Sequence, residues 1–248
     1  MNGIAKASVV WLILLTALPT SHSFSHFIVW NVGQGLWTTL QNATHCIHVD
    51  MGGEKFYSWA RLHQFCGDKK NILFISHFDQ DHISLIPKVA SRVRNICYAP
   101  LRVPPKGKQY YFKNISTCKK EEKLPTPLKI IYRPLPSTHS KENALSNVFL
   151  LADHILIPGD SLKKQERNWS QFPPIANTQI LVLGHHGSAT STSQKLLNHL
   201  PHLQVAISSA RKRKYGHPHR EILYRLQNKK VPVLTTETFG NLIFELRP

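Results

Sequence analysis

Four side chains that can bind metal ions are concentrated in one short segment. The run His77-Phe78-Asp79-Gln80-Asp81-His82 places two imidazoles and two carboxylates within six positions, directly after the apolar residues 72–75. An apolar run of that length predicts a buried strand, so the polar run should lie where the strand ends. Two carboxylates this close repel each other unless a cation lies between them. The segment therefore predicts a divalent-metal site; the alternative, a polar loop whose carboxylates cap a helix, leaves the histidines unexplained.

Further potential ligands follow later strands. Asp160, the pair His185-His186, and His217 each come shortly after an apolar run of strand length. Side chains gathered from several strand ends at one edge of a sheet can share a site, and such shared sites hold two ions in many hydrolases. Together with the first segment, these residues predict a dinuclear centre.

The elements that must hold these side chains alternate between strands and helices. Strands are predicted at residues 27–30, 37–40, 45–50, 72–76, 148–152, 154–157, 180–183, 205–208, 233–236 and 242–246. Helices are predicted at residues 54–66, 83–94, 193–200 and 219–227, and the Pro- and Lys-rich residues 99–136 predict loops and edge strands. This order predicts a single α/β domain in which two sheets pack face to face with helices outside.

The chain is strongly basic. Its 248 residues carry a formal net charge of +17, and its hydrophobic fraction of 42% is sufficient for a sizeable core. A field this positive favours polyanions such as nucleic acid, an anionic membrane surface or an acidic polymer. The alternative is a protein whose basic charge serves no specific partner. The cluster Arg211-Lys212-Arg213-Lys214, just before His217, favours the first interpretation, unless it is only a solvated basic loop.

The first 23 residues have the layout of a signal peptide. Lys6 supplies positive charge, residues 7–18 are apolar, and Ser21-His22-Ser23 resembles a cleavage site. The apolar stretch is too short for a comfortable membrane span. We therefore expect a signal peptide at residues 1–23 and a periplasmic or secreted domain at residues 24–248. An uncleaved anchor, the alternative, would bring the domain to a membrane.

Four cysteines follow the predicted signal peptide: Cys46, Cys66, Cys97 and Cys118. In an oxidising compartment an even number permits two disulfides, and the three possible pairings stay open. None of the cysteines has the close spacing of a zinc ribbon, so we do not assign them to metal.

Several motifs, in order along the chain, resemble those of one known family. They are Val32-Gly33-Gln34-Gly35, Val49-Asp50-Met51-Gly52-Gly53, the His-x-Asp-x-Asp-His run, Asn143-Ala144-Leu145-Ser146-Asn147-Val148, Pro158-Gly159-Asp160, Gly184-His185-His186-Gly187-Ser188 and Tyr215-Gly216-His217-Pro218. The set resembles the metallo-β-lactamase superfamily and, within it, the hydrolase domain of the ComEC/Rec2 competence proteins. The order and rough spacing hold from about Phe27 to Leu246.

The resemblance implies an αββα sandwich and a hydrolase that uses two divalent ions. It implies the metal ligands His77, Asp79, Asp81, His82, Asp160, His185 and His217. The Asp79 position is histidine in true β-lactamases, and a carboxylate there favours Mn²⁺ or Mg²⁺, although Zn²⁺ fits too. Either His185 or His186 is the remaining ligand; we take His186 as the acid that protonates the leaving oxygen. Asp81, Asp160 and His186 then form the expected catalytic set.

The resemblance further implies a phosphodiesterase or nuclease that acts on DNA. Ser188 and the preceding glycine, if they open a helix, could hold a phosphate on their backbone N–H groups. Asn143 and Ser146 could contact substrate or only support the site. The basic cluster at residues 211–214 would track the polyanion. The competence proteins also have a membrane channel, which we do not expect here.

Two other functions stay open from the sequence. One is a metallohydrolase of a different substrate, of the β-lactamase or thioesterase type; the carboxylate at Asp79 and the basic charge argue against it. The other is a non-catalytic DNA-binding module that kept the fold, against which the full ligand set argues.

Overall fold

The computed structural model describes residues 26–119, 127–136 and 141–246, so the predicted signal peptide lies outside the described residues. The strands, in chain order, are β1 (His26–Val29), β2 (Thr38–Gln41), β3 (His45–Val49), β4 (Lys70–Phe74), β5 (Ile96–Tyr98), β6 (Ser116–Thr117), β7 (Leu128–Tyr132), β8 (Val148–Leu151), β9 (Ile155–Ile157), β10 (Ile180–Val182), β11 (Val205–Ser208), β12 (Val233–Thr235) and β13 (Leu242–Glu245). The helices are α1 (Trp59–Cys66), α2 (Gln80–Ile83), α3 (Ile86–Ala90), α4 (Lys163–Trp169), α5 (Gln194–Asn198), α6 (Lys212–Tyr215), α7 (Arg220–Asn228) and α8 (Thr236–Phe239).

The strands form two sheets: the first comprises β1 to β6 and the C-terminal strand β13, and the second comprises β7 to β12. The first has the order β13-β1-β2-β3-β4-β5-β6 and the second the order β12-β11-β10-β9-β8-β7. In the first sheet β3 to β6 run parallel, and in the second β9 to β12 do. Parallel neighbours end at the same edge of a sheet, so the loops that follow them are brought together.

The two sheets pack face to face, and helices cover their outer faces. Phe27 and Phe74 of the first sheet share a buried cluster with Phe149, Ile180 and Val205 of the second. Neighbouring residues on these strands alternate between that cluster and an outer one, as the two-residue period of a strand requires. The outer clusters contain residues of α1 and α3 on one side and of α5 and α7 on the other. The predicted αββα sandwich is therefore confirmed.

Helix boundaries differ from the sequence prediction in several places. The helix predicted at residues 54–66 begins only at Trp59, and within the helix predicted at residues 83–94 the structure has the shorter α3, preceded by α2, which ends at Ile83. Pro87 lies in the first turn of α3, where a residue without an N–H costs no helical hydrogen bond. No helix in the described parts of the chain has the length and apolar character that crossing a bilayer requires.

Both disulfides lie in the first half of the chain. Cys46 in β3 pairs with Cys66 at the end of α1, and Cys97 in β5 pairs with Cys118 just after β6. Of the three pairings that the sequence allowed, the structure therefore has the one that joins neighbours in the chain. The first bond links a helix to the sheet, and the second holds the short edge strand β6 against β5.

A buried hydrogen-bond network centres on His48. Its Nδ1 accepts hydrogen bonds from Thr39 Oγ1 at 2.8 Å and Trp37 Nε1 at 3.2 Å, and its Nε2–H donates to Asn71 Oδ1 at 3.0 Å. These partners are satisfied only by the neutral imidazole, because a proton on Nδ1 would face the indole N–H donor. Burial lowers the pKa of His48 to about 4, although the hydrogen bond with Asn71 works in the opposite direction.

His48 should therefore make the protein less stable as the pH falls. Its pKa drops from an ordinary 6.5 to about 4 on folding, so the unfolded chain takes up the proton first. The difference corresponds to roughly 3 kcal/mol of unfolding free energy, present above the unfolded pKa and lost as the pH falls through the folded one. Denaturant unfolding of the wild type and His48→Gln at neutral and mildly acid pH measures this. An equally steep pH dependence in His48→Gln would contradict the prediction.

Candidate metal centre

The predicted ligands other than His217 converge at the loops that follow β4, β9 and β10. His77 and Asp79 lie in the loop after β4, and Asp81 and His82 lie in α2. Asp79 is the residue before the first turn of α2, but its side chain makes no capping hydrogen bond; its Oδ2 lies 3.4 Å from His77 Nε2. The alternative interpretation of this segment as helix-capping carboxylates is therefore not supported.

Two overlapping groups of side chains could each hold a metal ion. One comprises His77, His82 and Asp160, and the other Asp81, His82 and His186, with the ligand atoms of each group within 4.8 Å of one another. These residues, together with Asp79 and His185, are called the His–Asp cluster below.

Asp160 belongs to the first group and also approaches His186 of the second. Its Oδ1 is 3.2 Å from His82 Nε2 and 3.8 Å from His186 Nε2, and its Oδ2 is 3.8 Å from His77 Nε2 and 3.5 Å from His185 Nε2. Each carboxylate oxygen therefore faces a different part of the cluster, as a residue that bridges two ions would.

Several side-chain nitrogen and oxygen atoms of the His–Asp cluster are buried without a hydrogen bond of good geometry. They are His77 Nε2, His82 Nε2, Asp160 Oδ1 and His186 Nε2. Burying such atoms without partners costs free energy, and a bound cation would satisfy several of them at once. Imidazole nitrogens and carboxylate oxygens are ordinary ligands of Zn²⁺ and Mn²⁺. The donor set therefore fits divalent metal.

The charge of the cluster also suits a cation. Burial alone would raise the pKa of Asp160, but the neighbouring charges of His82 and His186 hold it well below its ordinary value. Asp81 behaves likewise: burial alone would raise its pKa, but the close approach of His186 lowers it. Both carboxylates are thus ionised at neutral pH. The same negative charge that favours protonated imidazoles here would stabilise a metal ion.

Hydrogen bonds behind the rings orient the imidazoles. His82 Nδ1 lies 2.7 Å from Asp50 Oδ2, and His186 Nδ1 lies 3.1 Å from the Ser209 carbonyl oxygen. Both partners are acceptors, so each Nδ1 carries a proton, and once a metal ion displaces the proton on Nε2, that lone pair faces the cluster. Metal-binding histidines are commonly held in this way.

The sequence assigns Asp50 no functional role beyond its place in a motif. It is fully buried and also accepts hydrogen bonds from the Ser76 N–H and Oγ, both at 2.7 Å. Its position after a strand beside β4 was the available signal. Gly52, two residues after Asp50, allows this loop to lie close to α2, because a Cβ on Gly52 would lie 2.4 Å from the backbone of His82.

His185 and His186 point in different directions. His186 is buried, and its Nε2 lies 3.1 Å from Asp81 Oδ2. The side chain of His185 is 28% exposed, and its Nε2 is 3.2 Å from Asn143 Nδ2. The geometry therefore favours His186 as a metal ligand and His185 as the more accessible imidazole, the reverse of the roles expected from the sequence. Both residues have positive φ, which lets adjacent side chains diverge.

His217 lies outside both groups. It lines a cavity together with His185 and His186, and its ring centre is 6.3 Å from that of His185. Burial lowers its pKa, with a smaller contribution from His186, so it is a neutral imidazole at the cavity wall. The cavity has a volume of about 490 Å³ and opens onto the His–Asp cluster. Its lining residues are Gln34, Gly53, Glu54, Gln80, Asp81, Ser84, His185, His186, Tyr215 and His217.

The expected role of Ser188 is wrong in one respect. No helix follows it directly, because α5 begins at Gln194 with Ser193 as its cap. The Ser188 N–H donates to the His185 carbonyl oxygen at 2.8 Å, which leaves it no free hydrogen for a phosphate. The expected phosphate site at a helix start after His186 is therefore absent.

Ser146 and Asn143 support the cluster. Ser146 is buried, and its Oγ accepts a hydrogen bond from the Asp160 N–H at 3.0 Å, so it holds the Asp160 loop and is not placed to contact substrate. Asn143 approaches His185 and is part-buried.

The basic residues expected to contact substrate lie beside the cavity. Arg211 directly precedes α6, which contains Lys212, Arg213 and Lys214, and Tyr215 at its end lines the cavity. The side chains of Lys212, Arg213 and Lys214 are exposed. Glu54, which lines the same cavity, was not identified from the sequence.

Comparisons with known proteins agree with the resemblance. No family model matches the sequence. The chain is 27% identical to Recombination protein 2 of Haemophilus influenzae over 223 residues, which cover 86% of this chain and 28% of that protein. It is 25% identical to Competence protein ComA of Neisseria gonorrhoeae over 226 residues, which cover 88% of this chain and 32% of that protein.

A third relative matches over a shorter segment. ComE operon protein 3 of Bacillus subtilis is 29% identical over 92 residues, 37% of this chain and 12% of that protein. The chain thus spans about a third, or less, of the length of these relatives. Among solved structures, the metallo-β-lactamase fold protein YhfI of Bacillus subtilis matches with a TM-score of 0.53 and 11% identity, over 90% of this chain and all of that one. This match confirms the predicted fold.

Proposed function

We propose that this chain, a ComEC-like domain with the metallo-β-lactamase fold, is a metal-dependent hydrolase that cleaves phosphodiester bonds in DNA. The observation that carries the proposal is the set of buried, unpartnered imidazole and carboxylate atoms next to a cavity that Asp81 and His186 line. The basic residues of α6 directly precede Tyr215, which lines the same cavity. The formal net charge of +17 supports a polyanionic substrate.

We infer that the cluster holds two divalent ions. His77 and Asp79 would hold one, and Asp81, His82 and His186 the other, while the two oxygens of Asp160 face both groups. Mn²⁺ or Zn²⁺ suits the mixture of imidazole and carboxylate ligands, and Mg²⁺ is a third candidate. When bound, such ions lower the pKa of water and polarise a phosphoryl oxygen.

The accessible imidazole would move the proton. His185 lies on the cavity wall, and its Nδ1 is 2.9 Å from Thr190 Oγ1, which fixes the ring. It is therefore better placed than the buried His186 to protonate the leaving oxygen. The residues after β11, above all Lys212 and Arg213, would bind the backbone phosphates outside the cavity.

The disulfides support export. Two formed disulfides are typical of an oxidising compartment, so we infer that the domain works in the periplasm or outside the cell. Uptake, nutrient scavenging and defence are all compatible with a nuclease placed there.

The proposal is tested with the purified domain, single- and double-stranded DNA, and Mn²⁺, Zn²⁺ or a chelator. We expect cleavage that needs metal and that is lost in Asp81→Asn but not in Asp68→Asn, a control at an exposed carboxylate. Binding without cleavage in both the wild type and Asp81→Asn would instead indicate a DNA-binding module. Neither binding nor cleavage would indicate another substrate, to be sought with β-lactam and thioester reporters.

A further inference from the structure

The carboxylate of Glu54 is held by four donors at the rim of the cavity. Its Oε1 accepts hydrogen bonds from Lys214 Nζ at 2.9 Å and Tyr215 Oη at 3.0 Å. Its Oε2 accepts from Arg211 Nη1 at 2.9 Å and from the Gln34 N–H at 3.2 Å. An ammonium, a guanidinium, a phenol and a backbone amide thus converge on one small anion.

We propose that these donors form a phosphate-binding subsite beside the metal centre, which Glu54 fills until a backbone phosphate of a polynucleotide displaces it. The inference deepens the proposed function, on which it rests, by giving the substrate a second phosphate contact. A phosphodiester carries one negative charge, as the Glu54 carboxylate does, so the exchange conserves charge.

The donor set suits phosphate in kind as well as in charge. A guanidinium offers paired N–H groups that match two oxygens of a phosphate, and a lysine adds a mobile positive charge. A tyrosine hydroxyl and a backbone N–H are common additional partners of phosphate oxygens. Glu54 alone leaves the two cations with a net positive charge, so the subsite still attracts an anion.

The subsite adjoins the reacting centre. Glu54 and Tyr215 line the same cavity as Asp81, His185 and His186. A polynucleotide whose scissile phosphate lay at the His–Asp cluster would continue past this rim. A neighbouring phosphate would therefore reach the donors that Glu54 now occupies.

Protonation would not release Glu54 under ordinary conditions. Burial alone would raise its pKa, but the hydrogen bonds from Arg211 and Lys214 lower it to about 2. The carboxylate therefore stays charged, and its release depends on competition with another anion. A substrate with several linked phosphates competes better than a single small anion, because its other contacts hold it in place.

The test is the affinity for a fluorescent single-stranded oligonucleotide, measured by anisotropy in the presence of a chelator so that nothing is cleaved. Glu54→Gln should bind about tenfold more tightly than the wild type, with a salt dependence steeper by about one phosphate contact. Glu237→Gln is the matched control: Glu237 Oε2 accepts the Lys212 N–H at 2.9 Å, but Glu237 does not line the cavity. It should change the affinity less than about twofold.

Unchanged or weaker binding by folded Glu54→Gln would overturn the inference, and so would an equal gain in Glu237→Gln, which would indicate a general charge effect. Thermal unfolding shows whether each variant folds. Should Glu54→Gln fail to fold, Glu54→Asp replaces it, because it keeps the charge but withdraws the carboxylate by one methylene; tighter binding supports the subsite and unchanged or weaker binding overturns it.

Failure of the proposed function would be seen separately. Hydrolysis of bis(p-nitrophenyl) phosphate by the wild type tests the metal chemistry with a single phosphate and no neighbouring one. If the wild type fails there and on DNA, the nuclease proposal falls, whereas the oligonucleotide affinities still decide whether Glu54 competes with a polyanion.

Discussion

Replacing Asp160 with asparagine should lower kcat/KM for metal-dependent hydrolysis by about a thousandfold or more, a loss of roughly 4 kcal/mol of transition-state stabilisation. The reason is its position, since each of its two oxygens faces different imidazoles of the His–Asp cluster. Asparagine has nearly the same shape but removes the negative charge, so one amide oxygen must serve where an ionised carboxylate served before.

The loss must be separated from misfolding. Asp160 is buried, so the thermal unfolding and circular dichroism of Asp160→Asn should be compared with those of the wild type without metal. Asp153→Asn is a suitable control, because Asp153 lies in the preceding hairpin and its carboxylate pairs with Lys129 at the surface. If folded Asp160→Asn keeps more than about a tenth of the wild-type kcat/KM, Asp160 does not hold the ions.

The second large effect is expected at a residue that touches no substrate. Asp50→Asn should weaken metal affinity by about 10- to 100-fold. The Asp50 carboxylate accepts from His82 and twice from Ser76, and an amide would direct N–H groups at one of these donors. His82 would then lose the acceptor that keeps its Nε2 free for a ligand bond. Titration of the apoprotein with Zn²⁺ or Mn²⁺ against a competing chelator measures this affinity directly.

Ser76→Ala is a second variant beside Asp50. It shows whether metal affinity depends on the orientation of His82 by Asp50 or only on intact packing around Asp50. It removes the Oγ–H bond to Asp50 and the contact of Ser76 Oγ with His77 Nδ1 at 3.0 Å, but leaves the contact between Asp50 and His82 intact. We expect it to weaken metal affinity only a few-fold, because a net hydrogen bond contributes about 1 kcal/mol. Equal losses in Asp50→Asn and Ser76→Ala would contradict a specific role for the Asp50–His82 contact.

The sequence predicted the part of the site that is contiguous in the chain. His77, Asp79, Asp81 and His82 lie within six positions, so their proximity needed no knowledge of the fold. Asp160 was found because it follows a strand and belongs to a motif. The sandwich was predicted well because its strands have clear apolar runs, whereas helix ends depend on local caps and were less accurate.

Other features depend on contacts that no local pattern contains. The donors to Glu54 lie about 160 positions further on, apart from the nearby amide of Gln34. The roles of His185 and His186 depend on a turn with positive φ at both residues, which sends adjacent rings to different surroundings. The free N–H expected at Ser188 is already used within that turn.

The position of the disulfides affects how the protein should be handled. All four cysteines lie in the half of the chain that supplies His77 and His82, and none lies in the half that supplies Asp160 and His186. A thiol reductant in a storage buffer would therefore break bonds only in the first half of the chain. The thiol groups of such a reductant also bind Zn²⁺ well, so the reductant would also withdraw metal ions from the His–Asp cluster. Purification without reductant keeps the two effects apart, and a chelator then reports on the ions alone.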